Sequence, residues 1–424
     1  MSAPHEAGGA QAAPAPLRVS RPDARRALLR HQLSRAPLND VAVRLGSVQV
    51  DPLAPMGRNH DLVLQARVDG YRIDDWQGPA YRDRTWLDAW DKQACLTLAV
   101  DWPARALYHR HHAERWRPLL ERHPDAVAGV LARIGQDGPA SALGFDDAPR
   151  PELRGSWYGP RLVKHLLRAL WDTGRLVTRD RERGRHVYDL PERVLPPAVW
   201  SAPPLDDADA VRRLVRRRVQ AAGLLRRRAP AALWSLPVDA ATRAGAIDAL
   251  LAEGALRAWE VEGDAYLAPP GLSPAGRLAT SAAGPARVLG PLDNLMWDRR
   301  ALADLFGFDY VWEVYKPAPR RRWGYYVVPL IVGERFVARF DGRRLAGVTP
   351  RLRVDGWWWE APAPDGRAPR SRASRERDAR ERDALVAGLA RFLRYLDVAA
   401  VELPTGLDRA ARAVWRAAAA EASA

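Results

Sequence analysis

"GPRLVKHLLRALWDTGRLVTRDRERGRHVYDLPERVLP", residues 159–196, is the stretch whose reading decides the fold. Leu162, Leu166, Leu167 and Leu170 recur at helical spacing, so one face of a helix is apolar. Gly174 follows, where a helix commonly ends on a left-handed residue that only glycine adopts without strain. "RLVTRD" and "HVYDL" then read as two strands joined by a charged turn with Gly184. Helix followed by hairpin is the wing half of a winged helix. The pattern returns about 80 residues later in "VDAATRAGAIDALLAEGALRAWEVEGDAYLAP", residues 238–269. There the helix through Ile247 and Leu251 stops near Gly254, and "ALRAWEVE" pairs with "AYLAP" across a Gly-Asp turn. Two such copies argue for tandem winged helices.

A further copy is expected nearer the start. "RPDARRALLRHQLSRAPLNDVAVRL", residues 21–45, holds two helical patches split by a Pro-Leu-Asn turn, with Leu28, Leu29 and Leu33 on the first. An apolar run and a helix-like "NHDLVLQARV" complete that unit. From residue 285 the texture changes. "YYVVPLIVGERFVARFDGRRLAGV", residues 325–348, is β-branched and aromatic, with turns expected at Gly333 and Gly342. The expected fold class is α+β: tandem winged-helix domains followed by a small antiparallel β-domain. The expected layout is a disordered tail over 1–17, winged helices over 18–100, 151–200 and 205–272, and a helical connector over 101–150. A β-rich domain over 285–360, a polar loop over 361–382 and a helical segment over 383–424 follow.

The 424 residues carry Lys+Arg 66 against Asp+Glu 51, a formal net charge of +15. Such an excess favours a polyanionic partner, because neutralised phosphates release condensed counterions. Nearly all of it is arginine, which a GC-rich genome would also produce with no partner behind it. Cys95 is the sole cysteine, which excludes an intrachain disulfide and a cysteine-based zinc site. No secretory signal and no 18-residue apolar run is present, so a cytoplasmic, nucleoid-associated protein without a membrane partner is expected.

Three basic clusters need weighing. "VRRLVRRRVQAAGLLRRR", residues 211–228, with Arg216, Arg217 and Arg218 at its centre, is either a solvated amphipathic helix or a helix lying on a phosphate backbone. "PAPRRRWGYY", residues 317–326, mixes Arg320, Arg321 and Arg322 with aromatics and reads as core packing or, preferably, a DNA-contacting loop. His109, His111 and His112 in "YHRHH" lack a framing carboxylate at ligand spacing, so a basic surface cluster is expected and not a metal site. No phosphate-cradling glycine loop and no nucleophile elbow occurs.

"GSVQVDPLAPMGRNHDLVLQAR", residues 46–67, carries Gln49 and Asp51 two apart inside an apolar run. Pro52 pushes Asp51 toward extended backbone, where residues two apart share a face. Gln49 and Asp51 are therefore expected on one solvated face with Val50 buried opposite. "VQVDPLAPMGRNHDLVLQAR", residues 48–67, and "LGPLDNLMWDRRALADLFGFDYVWEVYKPAPRRRWGYYVVPLIVGERFVARFD", residues 289–341, together with "YDLPERVLP" and the closing helix "ALVAGLARFLRYLDV", resemble the YcaQ/AlkZ-type DNA glycosylases. That family consists of bacterial enzymes with three tandem winged helices and a C-terminal β-domain. Its catalytic signature is Gln–apolar–Gln or Gln–apolar–Asp, and Gln49–Val50–Asp51 looks like the second, YcaQ-like form.

The resemblance implies a monofunctional DNA glycosylase for N7-alkylated purines, with interstrand crosslinks as a further candidate substrate, in DNA repair or genotoxin self-resistance. Its partner would be double-stranded DNA carrying such lesions, bound by a monomer with no cofactor and no metal. Gln49 and Asp51 would be catalytic; Arg58, His60, Arg216, Arg217, Arg218, Arg320, Arg321 and Arg322 would face DNA. The chemistry suits the pair. Alkylation at N7 makes the base a cationic leaving group, so no acid is needed. A carboxylate near C1′ stabilises the oxocarbenium-like transition state, and an amide orients water. No lysine lies near the motif in sequence, so a Schiff-base lyase step is not indicated. The alternative is a non-catalytic winged-helix regulator, which would need a dimer reading two half-sites.

Overall fold

The structure is a computed structural model that describes residues 14–275, 284–360 and 372–424. Residues 1–13 of the expected tail and 361–371 of the expected loop lie outside the described residues. The remainder of that tail is not free: β1 (Leu17–Arg18) pairs in parallel with β8 (Arg257–Val261), Leu17 opposite Trp259.

Ser20 caps α1 (Arg21–Leu33); its hydroxyl accepts the Asp23 N–H at 3.3 Å, and Pro22 occupies the first turn, where its missing donor costs nothing. α2 (Leu38–Leu45) ends on Gly46 at φ 65. β2 (Ser47–Gln49) follows, then α3 (Asn59–Gln65), β3 (Trp86–Trp90) and β4 (Ala94–Leu98), giving a sheet in the order β2-β4-β3 with Gln49 opposite Cys95. α4 (Trp102–Arg122) and α5 (Pro124–Asp137) lead to α6 (Leu162–Asp172) and the hairpin β5 (Val177–Glu182) and β6 (Arg185–Asp189). Two single turns, α7 (Pro191–Val194) and α8 (Pro197–Trp200), precede α9 (Asp207–Ala222). β7 (Leu225–Arg226), α10 (Ala231–Trp234), α11 (Ala240–Ala252), β8 and β9 (Asp264–Ala268) complete that region, in a sheet ordered β1-β8-β9-β7.

The C-terminal part contains β10 (Arg287–Val288), α12 (Arg299–Phe306), β11 (Val328–Val332), β12 (Arg335–Leu345), β13 (Arg351–Trp359), α13 (Arg372–Leu396), β14 (Ala400–Glu402) and α14 (Arg409–Ser423). Its sheet runs β10-β11-β12-β13-β14, antiparallel except for the last pair, which is parallel. The fold is thus mixed α+β, with helices around several small sheets.

Two expectations are corrected here. Gly342 is not a turn: β12 runs through it, with a register shift at Asp341 and Gly342. A Cβ there would stand 2.6 Å from the Arg353 carbonyl and 3.2 Å from Met56 Sδ, so the glycine permits close approach of strands and loop. Residues 372–382 are helix, not loop. "RASRERDARERDALVA" has no glycine or proline and is rich in strong helix formers, so charge alone was a poor guide to irregular structure.

The expected domains do not keep separate cores. Val41, Leu45, Leu62 and Trp76 of the N-terminal part pack in one cluster with Val328, Phe340, Leu393 and Trp415 of the C-terminal part. Polar groups fasten the same junction. The Arg67 guanidinium is fully buried and forks onto Asp293, with both N–H···O distances 2.7 Å. Asn294 Nδ2 donates to the Ser47 carbonyl at 2.8 Å and the Ala221 carbonyl at 3.1 Å. Segment 289–298 therefore joins three regions that are far apart in sequence.

Candidate active site

β2 stops at Gln49 because Pro52 has no N–H to continue the ladder. The Val50 N–H still reaches the Ala94 carbonyl at 2.8 Å, and the chain then turns away. The turn is local: Asp51 Oδ1 accepts the Leu53 N–H at 2.9 Å, an Asx turn. Loop 51–58 next crosses the C-terminal sheet. The Pro55 carbonyl accepts the Arg344 N–H at 2.6 Å, and the Gly57 carbonyl accepts the Tyr326 hydroxyl at 3.5 Å. Gly57 has φ 106, and a Cβ there would fall 2.6 Å from Tyr395 Oη, so glycine is required twice over. Asn59 closes the loop from the far side. Its Nδ2 donates to the Gln49 carbonyl at 2.8 Å, and its Oδ1 accepts the Leu292 N–H at 2.9 Å.

Asp51 is half-buried at the start of this clamped loop. Among the described residues no arginine or lysine pairs with it, and Leu53 is the one donor found for its carboxylate. Burial pushes its carboxyl above the usual range, and the Leu53 N–H offsets part of that. Gln49 is buried at 6% exposure and its Oε1 has no hydrogen-bond partner. The expected solvated face is therefore corrected: Gln49 lies inside, Val50 is half-buried against the core, and Asp51 is the more accessible of the pair. The edge of β2 is covered because Asn59 and Asn294 take its carbonyls. Behind the loop, Asp61 accepts the Tyr71 hydroxyl at 2.8 Å and the Asp74 N–H at 3.0 Å, and burial raises its carboxyl to about 6. Asp74 in turn holds Arg58 Nη1 at 2.6 Å.

The expected DNA-facing residues divide sharply. Arg58 is half-exposed near the loop. His60 is corrected: it is 1% exposed, stands edge-on to Trp76 at 4.9 Å, and burial holds its pKa down at about 3. A neutral enclosed ring offers nothing to a phosphate. Arg218 is corrected too, being 3% exposed, with Nη2 on Asp91 at 2.7 Å and Nε on the Trp234 carbonyl at 3.0 Å. Arg217 Nε is committed to Asp101 at 2.7 Å, which leaves Arg216 as the exposed member of the three. α9 packs inward, and the acidic partners of Arg213, Arg217 and Arg218 lie more than a hundred residues upstream, where no local pattern shows them. The histidine cluster also changes: the His109 ring lies tilted against Trp102 with centroids 4.7 Å apart and is held at about 3 by burial, His112 is buried, and only His111 is exposed. No group of three or more metal-binding side chains occurs among the described residues.

Arg320, Arg321 and Arg322 sit on a pinned loop. Buried Glu313 accepts the N–H groups of Arg322 at 3.1 Å, Trp323 at 2.7 Å and Gly324 at 3.4 Å, and Lys316 Nζ at 2.9 Å. Burial opposes ionisation, yet these bonds hold its carboxyl at about 2. Asp341 continues the clamp, accepting the N–H groups of Tyr325 at 2.6 Å and Tyr326 at 3.0 Å. Arg320 and Arg322 are exposed; Arg321 reaches the Lys316 carbonyl at 2.8 Å. The sequence reading missed Asn59, Asp61, Asn294, Glu313 and Tyr326. The Asn and Glu signals were present only as polar residues inside otherwise apolar blocks.

A family model described as DNA glycosylase AlkZ-like matches residues 42–395, well over half of the chain. The chain belongs to the AlkZ-like DNA glycosylase family. Among solved structures, the Streptomyces sahachiroi DNA glycosylase AlkZ is similar, with a TM-score of 0.57 at 14% identity, covering 92% of this chain and 100% of that one. At that identity the likeness speaks for the shared fold alone. In this AlkZ-like chain no helix among the described residues is long and apolar enough to cross a membrane.

Proposed function

We propose that the chain is a monofunctional DNA glycosylase that hydrolyses the N-glycosidic bond of N7-alkylated purines in double-stranded DNA. The observation that carries the reading is Asp51: a half-buried carboxylate without a basic partner among the described residues, fixed at one oxygen by Leu53 and mounted on a loop clamped from both sides. An unneutralised carboxylate held in this way is prepared for positive charge that develops at C1′ as the bond to N9 breaks. The second oxygen is free to take a proton from the attacking water. Gln49, with its buried unpartnered Oε1, orients that water. The departing purine is already cationic, so a single carboxylate suffices.

The reading includes three winged helices, formed by the N-terminal part through β4, by α6 to β6, and by α9 to β9, with α4 and α5 as the connector between the first two. The C-terminal sheet supports the first of them. DNA is held as a monomer's substrate through Arg58, Arg216, Arg320, Arg321 and Arg322. Interstrand crosslinks through N7 are included in the substrate range, since Asp51 stands on a surface loop. The small cavities of about 20 Å³ lie elsewhere, around His112 and around Asp101. The test is incubation with a duplex containing one N7-methylguanine. Release of the free base, with strand cleavage only after alkali, is the expected result. Tight binding without base release would support a winged-helix regulator instead.

A further inference from the structure

Tyr315 stands 80% exposed at the tip of the loop pinned by Glu313. It is not an isolated ring. It and Trp312 pack T-shaped with centroids 5.6 Å apart, and Trp312 and Tyr326 pack T-shaped at 6.5 Å. Tyr326 is fully enclosed, and its hydroxyl donates to Gly57 in the Asp51 loop. Trp312 is half-buried, packs against both large cores, and its Nε1 has no hydrogen-bond partner among the described residues. A row of aromatic rings thus leads from solvent to the loop that carries the carboxylate. Lys316, Arg320 and Arg322 on the same loop are exposed, available to a phosphate backbone.

We propose that Tyr315 and Trp312 form the platform that selects a cationic purine, by stacking its positively charged ring before it reaches Asp51. This rests on the glycosylase reading above and adds the residues that distinguish an alkylated base from an ordinary one. π-Faces attract a delocalised cation, and the attraction grows as water is excluded. Ordinary bases stack on the same rings without the charge term, so the platform confers preference and not mere affinity. The fixed backbone at Glu313 and Asp341 keeps the rings in place, so little ordering is needed on binding.

The test separates binding from chemistry. A duplex with 2′-fluoro-N7-methylguanine, which resists hydrolysis, and the matching unmodified duplex are titrated against the full chain. The wild type should prefer the cationic duplex, and Tyr315→Ala and Trp312→Leu should each reduce that preference about tenfold, the scale of a desolvated cation–π contact. Affinity for the unmodified duplex should fall far less. Trp312→Phe, which retains a ring, should keep most of the preference, and this rules out a loss due to misfolding. Full preference retained in Tyr315→Ala and Trp312→Leu, or no preference in the wild type, would overturn the platform. Preferential binding without excision of N7-methylguanine would overturn the glycosylase reading and leave the platform standing.

Discussion

Replacing Asp51 by Asn separates charge from shape. The Asn side chain keeps an oxygen for the Leu53 N–H, so the turn is retained. It loses the negative charge. At about 4 Å and an effective dielectric of about 20, a unit charge interacts with an opposite one by about 4 kcal/mol. Electrostatic groups aimed at a transition state commonly contribute about 3 kcal/mol, on the order of a hundredfold or more in rate. Single-turnover excision of N7-methylguanine should therefore slow by at least about a hundredfold. Stability should move the other way. Burial raises the Asp51 carboxyl above its unperturbed 3.8, so its contribution to stability is present below that value and is lost as pH rises through the folded value. At neutral pH the wild type holds an ionised, desolvated group, and Asp51→Asn should melt at the same temperature or slightly higher. The gap should close in acid. Wild-type excision should rise with pH through the same titration, and the mutant's should not. Near-normal excision by a well-folded Asp51→Asn protein would refute the assignment.

Arg320→Ala and Arg322→Ala should each reduce the slope of log affinity against log salt by about 0.9, as loss of one phosphate contact does; unchanged slopes in both would remove that loop from the DNA interface. Arg218→Ala should instead destabilise the fold by about 3–5 kcal/mol, because it removes the salt-bridge partner of buried Asp91 and leaves that charge to the Ser47 and Tyr108 hydroxyls, and a melting curve like the wild type's would contradict that. Arg67→Met should cost a similar amount by stranding Asp293, and the Arg67→Met, Asp293→Leu double variant should recover part of it; equal loss in both would mean that the charge pair is not what matters.

The elements most legible in the sequence were those closed by local signals. Gly174 and Gly254 adopt φ 72 and 69 at the ends of α6 and α11, as their positions after apolar helical faces implied. Both hairpins follow them. What stayed hidden depends on distant partners. Arg217 and Arg218 look like their exposed neighbour Arg216 until Asp101 and Asp91 arrive from another part of the chain. His60 reads as a basic residue beside the motif, but Trp76 encloses it. Gly342 reads as a turn because glycine's commonest use is conformational, whereas here a loop and a strand need the space. Gln49 and Asp51 were recognisable as a pair, but their unequal burial follows from Asn59 and Asn294, which no alternation pattern foretells.

The family resemblance rested on two blocks, 48–67 and 289–341, and their contacts give a physical reason why they belong together. Gly57 meets Tyr326, Asn59 meets Leu292, and Arg67 forks onto Asp293. The first block supplies the loop, and the second supplies the surface that determines its path. A strand end and a proline alone would leave Asp51 on a mobile turn, where an unpaired carboxylate would be fully hydrated and weakly directed. Clamping the loop against a second sheet fixes the carboxylate while leaving one of its oxygens uncommitted, which is what electrostatic preorganisation requires. Burial makes that charge costly, and the buried apolar cluster shared by the two parts offsets the cost. The C-terminal sheet is consequently part of the candidate site's geometry, so a change at Tyr326 or Arg344 should disturb Asp51 without touching it.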